Sequence, residues 1–348
     1  MESPKLPGPA EANEKLTAPR PHAIYWILSL ALAAGLLYYS LGGIEWARVW
    51  SIVRGARPPE VALALVSISL ALFLRAYRWR VLLLAEAPVP VPLAFWATSA
   101  GYLGNNVLPA RAGEVVRTVM ISSRCGMSRA FVLTTALSER VVDAIALITI
   151  SGTVLLTLRE RPGWLADAAR PFAILGLAGV TCIAVVPAFE SLWFRLLGRL
   201  PVPHRLRETV EHILRQGLQG IRSFHDAGRL VRFLGLTAVI WLLDGLTTVL
   251  SAHAIGLTIG LPLAFLLVAG LGLGSALPST PGYVGIYQFV AVSVLTPFGF
   301  SRTDAIAYIL FFQAIGYLVV LSWGLIALGQ RGGSLYSKMA AQSAGRPE

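Results

Sequence analysis

Charge is scarce in this sequence. Lys, Arg, Asp and Glu together make up 14% of its 348 residues, well short of the quarter or so that covers a typical water-facing domain. Cysteine is nearly absent as well. Cys125 and Cys182 have no metal-ligand spacing and the five histidines form no cluster, which excludes a zinc centre and a disulfide framework, so no metal is expected. There is no G-x-S-x-G, H-E-x-x-H, Walker loop or Rossmann glycine pattern. No cofactor is expected, ATP-driven pumping by this chain alone is excluded, and the chain is read as something other than an enzyme. No small-residue cleavage site follows the first apolar run. Residues 1–22 therefore read as a disordered, proline-rich cytoplasmic tail ahead of an uncleaved anchor.

What is present is apolar: 55% of the residues, with a mean hydropathy of +0.67. Lipid is the matching solvent. The expected fold class is all-α, a polytopic membrane helix bundle of about eight spans at roughly 20 residues each. Apolar segments fall near 23–42, 59–82, 91–108, 130–157, 171–188, 231–255, 261–277, 284–297 and 304–328. Those at 91–108, 261–277 and 284–297 are short and end at Pro and Gly, the pattern of half-spanning or broken helices. The transmembrane domain is placed at 23–330 and a cytoplasmic tail at 331–348.

The net charge of +11 does not point to nucleic acid, because the arginines sit between apolar stretches as in cytoplasmic loops facing anionic lipid. Arg75, Arg78 and Arg80 put the end of the second span in the cytoplasm. Both termini are then expected to be cytoplasmic, with the bacterial inner membrane as the expected location. The arginine-rich stretch 189–230 reads as a cytoplasmic loop carrying an amphipathic helix, with Leu206, Val210, Ile213, Leu214, Leu218 and Ile221 on one face. Leu108-Pro109-x-x-x-Gly113 and Leu277-Pro278-x-x-x-Gly282 match as L-P-x-x-x-G. Each interrupts a hydrophobic hairpin and precedes a long final span, the signature of an inverted repeat built from two re-entrant hairpins.

The chemistry-bearing residues gather at those interruptions. Pro109 lacks an amide hydrogen, while Gly104 and Gly113 admit unusual backbone angles, so backbone groups are freed beside Asn105 and Asn106. Arg111, Glu114 and Arg117 recur every third residue on a helix opening there, a face suited to an anionic headgroup. In the next span Glu139, Arg140 and Asp143 lie near the bilayer centre, at roughly 3 kcal/mol each, and must face the bundle interior and pair. The spacing predicts Arg140 between the carboxylates of Glu139 and Asp143. The second interruption is polar but uncharged: Pro278, Ser279, Thr280, Pro281, Gly282, Gly285 and Gln288, with Gln313 in the last span. Asp244 and His253 read as groups bonding to a neighbouring helix.

G-N-N-V-L-P-A-R-A-G-E-V-V-R, then S-E-R-V-V-D, then L-P-S-T-P-G-Y-V-G-I-Y together resemble the membrane region of lysylphosphatidylglycerol synthases, a flippase-like family with stand-alone and hopanoid-associated members. The likeness covers roughly 23–330. It implies a bundle with re-entrant segments that moves lipids or lipid-linked headgroups between leaflets. It assigns Asn106, Pro109, Arg111, Gly113, Glu114 and Arg117 to one motif, Glu139, Arg140 and Asp143 to a second, and Pro278, Pro281, Gly282 and Gly285 to a third. Two departures stand out. Lysyl transfer from tRNA is not expected, since only about 20 polar residues follow the last span. Gln288 and Gln313 stand where relatives carry an acid and an arginine.

The leading expectation is a lipid flippase or transporter. Its partners are membrane lipids, whether an anionic phospholipid, a hopanoid or a polyprenyl-linked lipid, with lipid-synthesis enzymes as a further class of partner. Two alternatives stay open: a lipid-modifying enzyme with Glu139 or Asp143 as general base, and a scaffold recruiting lipid-synthesis enzymes through its cytoplasmic loop.

Overall fold

The computed structural model describes residues 21–108, 112–157, 226–275 and 281–344, together with a few single positions between 158 and 225. The expected span at 171–188, the amphipathic loop at 189–230 up to its last few residues, the first tail up to residue 20, and Pro109, Arg111, Pro278, Ser279 and Thr280 lie outside the described residues.

Helices account for almost all of the described chain: α1 (Pro21–Leu41), α2 (Trp46–Arg54), α3 (Pro58–Leu83), α4 (Val91–Val107), α5 (Gly113–Cys125), α6 (Arg129–Thr157), α7 (Ala227–Ala254), α8 (Leu261–Gly274), α9 (Ile286–Leu295) and α10 (Arg302–Ala344). Proline stands in the first turn of α3, α4 and α8, where its missing amide hydrogen would have had no helical partner. Asp226 caps α7 by accepting a hydrogen bond from the Arg229 amide at 2.7 Å. Among the described residues α3, α7 and α10 are long and apolar enough to cross a membrane, and the pair α1–α2, bent by 88°, would make a fourth. α10 stays helical to Ala344, past the expected end of the last span at 328.

Besides α2, four of the described helices are too short to cross alone. α4 and α5 have 17 and 13 residues, α8 and α9 have 14 and 10, and at about 1.5 Å per residue the shortest reaches only half of a roughly 30 Å hydrocarbon layer. They form two hairpins that enter from opposite ends of the bundle. α3 and α7 pair antiparallel, Ser67 facing Thr247 and Arg78 facing Thr237. The first hairpin opens at the end where α3 stops and α7 starts; the second opens where α7 stops and α10 starts. The packing repeats in the same inverted sense: α4 lies on α10 as α8 lies on α6, and α5 packs on α6 as α9 packs on α10. This is the inverted repeat expected from the two L-P-x-x-x-G breaks, with both hairpins re-entrant.

Each end of the bundle has its own apolar core. One gathers Ala64, Ala252, Ile259, Leu267, Leu295 and Ile306; the other gathers Trp79, Leu83, Ala97, Met120, Phe131 and Ala327. Between them lies the layer that holds the charges. The outer faces carry exposed Leu63, Val66, Leu70, Val239, Leu318 and Leu325, the surface a lipid-facing bundle presents.

Candidate functional site

The tips of the two hairpins meet. They can because of glycine, which serves differently in the two halves. In the first hairpin neither Gly104 nor Gly113 has a positive φ, so the unusual backbone angles expected of them are not found. The arms instead touch: a Cβ on Gly104 would lie 2.8 Å from the Gly113 Cα, and one on Gly113 would lie 2.6 Å from Asn105 Oδ1. In the second hairpin the conformation itself demands glycine, with φ of 72° at Gly282 and 91° at Gly285. A Cβ on Gly285 would also come 2.7 Å from the Ala33 carbonyl of α1.

Behind the first tip lies a buried ion-pair network whose centre is not the arginine expected. Arg78 of α3, fully buried, lies between Glu139 (Nη2–Oε1 2.7 Å) and Asp143 (Nη1–Oδ1 2.6 Å) of α6. The placement of Arg140 between those carboxylates is therefore corrected. Glu139 and Asp143 are four apart and share a helix face, whereas Arg140, one residue on from Glu139, points about 100° away. It reaches Glu114 at 3.1 Å and comes only to 4.0 Å from Asp143, with its guanidinium over the Tyr102 ring. Arg117 ties the layers together, bonding Glu114 at 2.5 Å and Glu139 at 3.0 Å beneath the Trp79 ring.

The orientation signal changes accordingly. Arg75 and Arg78 are not loop residues: Arg78 is in the network, and Arg75 pairs with Asp244 of α7. Only Arg80 of that triplet reaches the bundle end, where it donates to the Val89 carbonyl at 2.5 Å. Exposed Arg124, Arg129 and Arg232 share that end. The reading of Asp244 as a partner for a neighbouring helix was right in kind. Its partner is Arg75, which position along the chain alone marks as a cytoplasmic charge.

In the second half the polar groups form an uncharged chain. Gln288 caps its own helix by accepting from the Gly285 amide at 2.7 Å and donates to Gln313 at 2.6 Å. Gln313 donates to the Gly282 carbonyl at 3.1 Å, and Tyr317 donates to the same oxygen. These amides pin the Pro281–Tyr283 turn against α10.

A cavity of about 370 Å³ joins the halves. Its polar wall includes Arg75, Asn105, Asn106, Arg140, Asp143 and Asp244 from the first hairpin and α3, α6 and α7, with Gln313 and Tyr317 opposite; Leu147, Val268, Leu271 and Phe312 make its apolar wall. Glu114, Arg117 and Glu139 stand behind that wall, and Gln288 is buried in the turn. Arg75 and Asp244 are wall residues that reading the sequence left out of the site; a charge inside an apolar helix was the available signal for both. No group of three or more potential metal ligands occurs among the described residues.

Comparison with known proteins places this architecture. Glycosyltransferase AglD of Haloferax volcanii is 27% identical over 232 residues, covering 56% of this chain but only 36% of its own length. The UPF0104 membrane protein MJ1078 of Methanocaldococcus jannaschii is 19% identical over 222 residues, 64% of this chain and 91% of its own. The chain thus spans about a third of the first relative and nearly all of the second. No solved structure matches. The profile of the lysylphosphatidylglycerol synthase transmembrane region matches residues 26–324, and the chain belongs to that family.

Proposed function

We propose that this membrane protein is a flippase-type lipid transporter of the bacterial inner membrane, with both termini cytoplasmic, in which a headgroup passes through the cavity between the hairpins while the acyl chains stay in lipid. The observation that carries this reading is the amphipathic cavity where two half-spanning hairpins from opposite ends meet. Two hairpins that each reach only halfway offer a polar site from either side, the arrangement alternating access needs. Arg140, with 28% of its side chain exposed, and Asn106 are the groups of the first half offered to a headgroup. Cytoplasmic placement of the α3–α4 end rests on Arg80, Arg124, Arg129, Arg229 and Arg232. The chain is read as a non-enzyme: Glu139 and Asp143 are held in ion pairs, and a paired carboxylate is a weak general base.

The experiment is leaflet exchange of labelled lipids in proteoliposomes, comparing wild type, Arg140→Ala and empty vesicles. Exchange by wild type that falls with Arg140→Ala is expected. Absence of exchange by folded protein for every headgroup tested overturns the reading.

A further inference from the structure

Cavity charges decide which headgroup the site can accept, and here they cancel. Arg75 is neutralised by direct contact with Asp244. Arg140 bonds Glu114 and stands 4.0 Å from Asp143. Behind them Arg78 is shared between Glu139 and Asp143, and Arg117 between Glu114 and Glu139. Three arginines and three carboxylates alternate along one chain of contacts, Asp143–Arg78–Glu139–Arg117–Glu114–Arg140, and Arg75–Asp244 stands beside it as a separate pair. Among the described residues, a phosphate entering this cavity meets no unspent cation. To sit against Arg75 or Arg140 it must either displace a carboxylate, and stranding a buried charge costs several kcal/mol, or use the spare donors and set a second negative charge beside that carboxylate. A zwitterion fares no better, because both of its poles find the opposite charges already joined to each other.

A hydroxyl group does not face that cost. A guanidinium has five N–H donors and a carboxylate about four lone-pair sites, so a salt bridge retains capacity on both partners. One hydroxyl both accepts and donates, and so fits at the edge of such a pair without breaking it. The rest of the polar wall is of the same kind, with Asn106, Gln313 and Tyr317 uncharged. Tyr283 and Tyr287, stacked 5.0 Å apart, add flat amphipathic surface at the second hairpin.

We infer that the cavity selects an uncharged, hydroxyl-rich headgroup, that is, a glycosyl-type lipid, over anionic and zwitterionic phospholipids. The inference rests on the transporter reading only for its choice of cavity. Its test therefore uses binding alongside exchange. Purified full-length protein is incubated with monoglucosyl diacylglycerol, phosphatidylglycerol or phosphatidylethanolamine of identical acyl chains, retained lipid is measured by native mass spectrometry, and the same lipids are followed in proteoliposomes. Wild type is expected to retain the glucosyl lipid at about a tenfold lower concentration than either phospholipid, the scale of one or two net hydrogen bonds. Asp244→Asn releases Arg75 and is expected to move the preference toward phosphatidylglycerol by about tenfold. Arg75→Gln is expected to move it the other way, whereas simple structural damage would lower all three lipids together. Equal or tighter retention of either phospholipid by wild type, or no retention of the glucosyl lipid, overturns the inference. Selective retention without exchange supports it and removes the transporter reading instead.

Discussion

Replacing Arg78 by leucine would leave Glu139 and Asp143 facing each other in the bundle interior with no cation between them. Removing one partner of a buried ion pair costs about 3–5 kcal/mol, most of it the stranded charge. Arg78→Leu is expected to lower the thermal unfolding midpoint in detergent strongly. Arg78→Lys, which keeps the charge but cannot bridge two carboxylates in the same fork, should fall between. Arg140→Ala, at a partly exposed site, should leave the midpoint nearly unchanged while reducing exchange, and equal losses in both assays would make Arg140 structural. The sequence made these charges visible but not their pairing. Helical spacing ranks neighbours on one helix, and the partners of Glu139, Arg78 and Arg117, lie 61 and 22 residues earlier on other helices. An arginine near a helix end reads as a topology marker until the helix that covers it is known.

At the scale of elements, the half-length hairpins were legible because Pro and Gly interrupt apolar runs too short to cross, and their positions agree with the structure to within a few residues. α2 was not. Trp46, Val49, Trp50 and Val53 recur at helical spacing, but nine residues with exposed tryptophans at 52% and 56% fall below any span threshold, and the helix lies across the bundle end rather than along it. The role of the first-hairpin glycines was likewise hidden, since close approach depends on the partner arm. Gly113→Ala is expected to force α4 and α5 apart and reduce folded yield on size-exclusion chromatography. Gly35→Ala, where a Cβ meets nothing within 4 Å, should be neutral. Gln288→Leu strands the Gly285 amide and the Gln313 side-chain oxygen, and a loss of about 1–3 kcal/mol is expected for each buried group left unpaired, read as a lower midpoint with headgroup preference unchanged.

For the whole molecule, two structurally equivalent halves carry different chemistry: charge in the first, neutral amides in the second. Inverted halves related by a pseudo-two-fold present the same scaffold to both leaflets, so orientation decides which chemistry a headgroup meets first. The bundle end shared by Arg124, Arg129 and Arg232 is balanced by an opposite end with its own Arg48, Arg54 and Arg57, where Arg48 pairs with Asp304 and Arg57 with Glu60. With Arg302 that end has four arginines, against five (Arg80, Arg124, Arg129, Arg229 and Arg232) at the first among the described residues, so the first should face the cytoplasm. Exposed serines mark both ends, Ser51 on one and Ser123 on the other. In a background with Cys125 and Cys182 replaced by serine, Ser51→Cys is expected to react with a membrane-impermeant maleimide added to intact cells, and Ser123→Cys only after the membrane is opened. Labelling of Ser123→Cys in intact cells would invert the topology. The charged hairpin would then open to the outside, and the headgroup would meet the neutral half first from the cytoplasm.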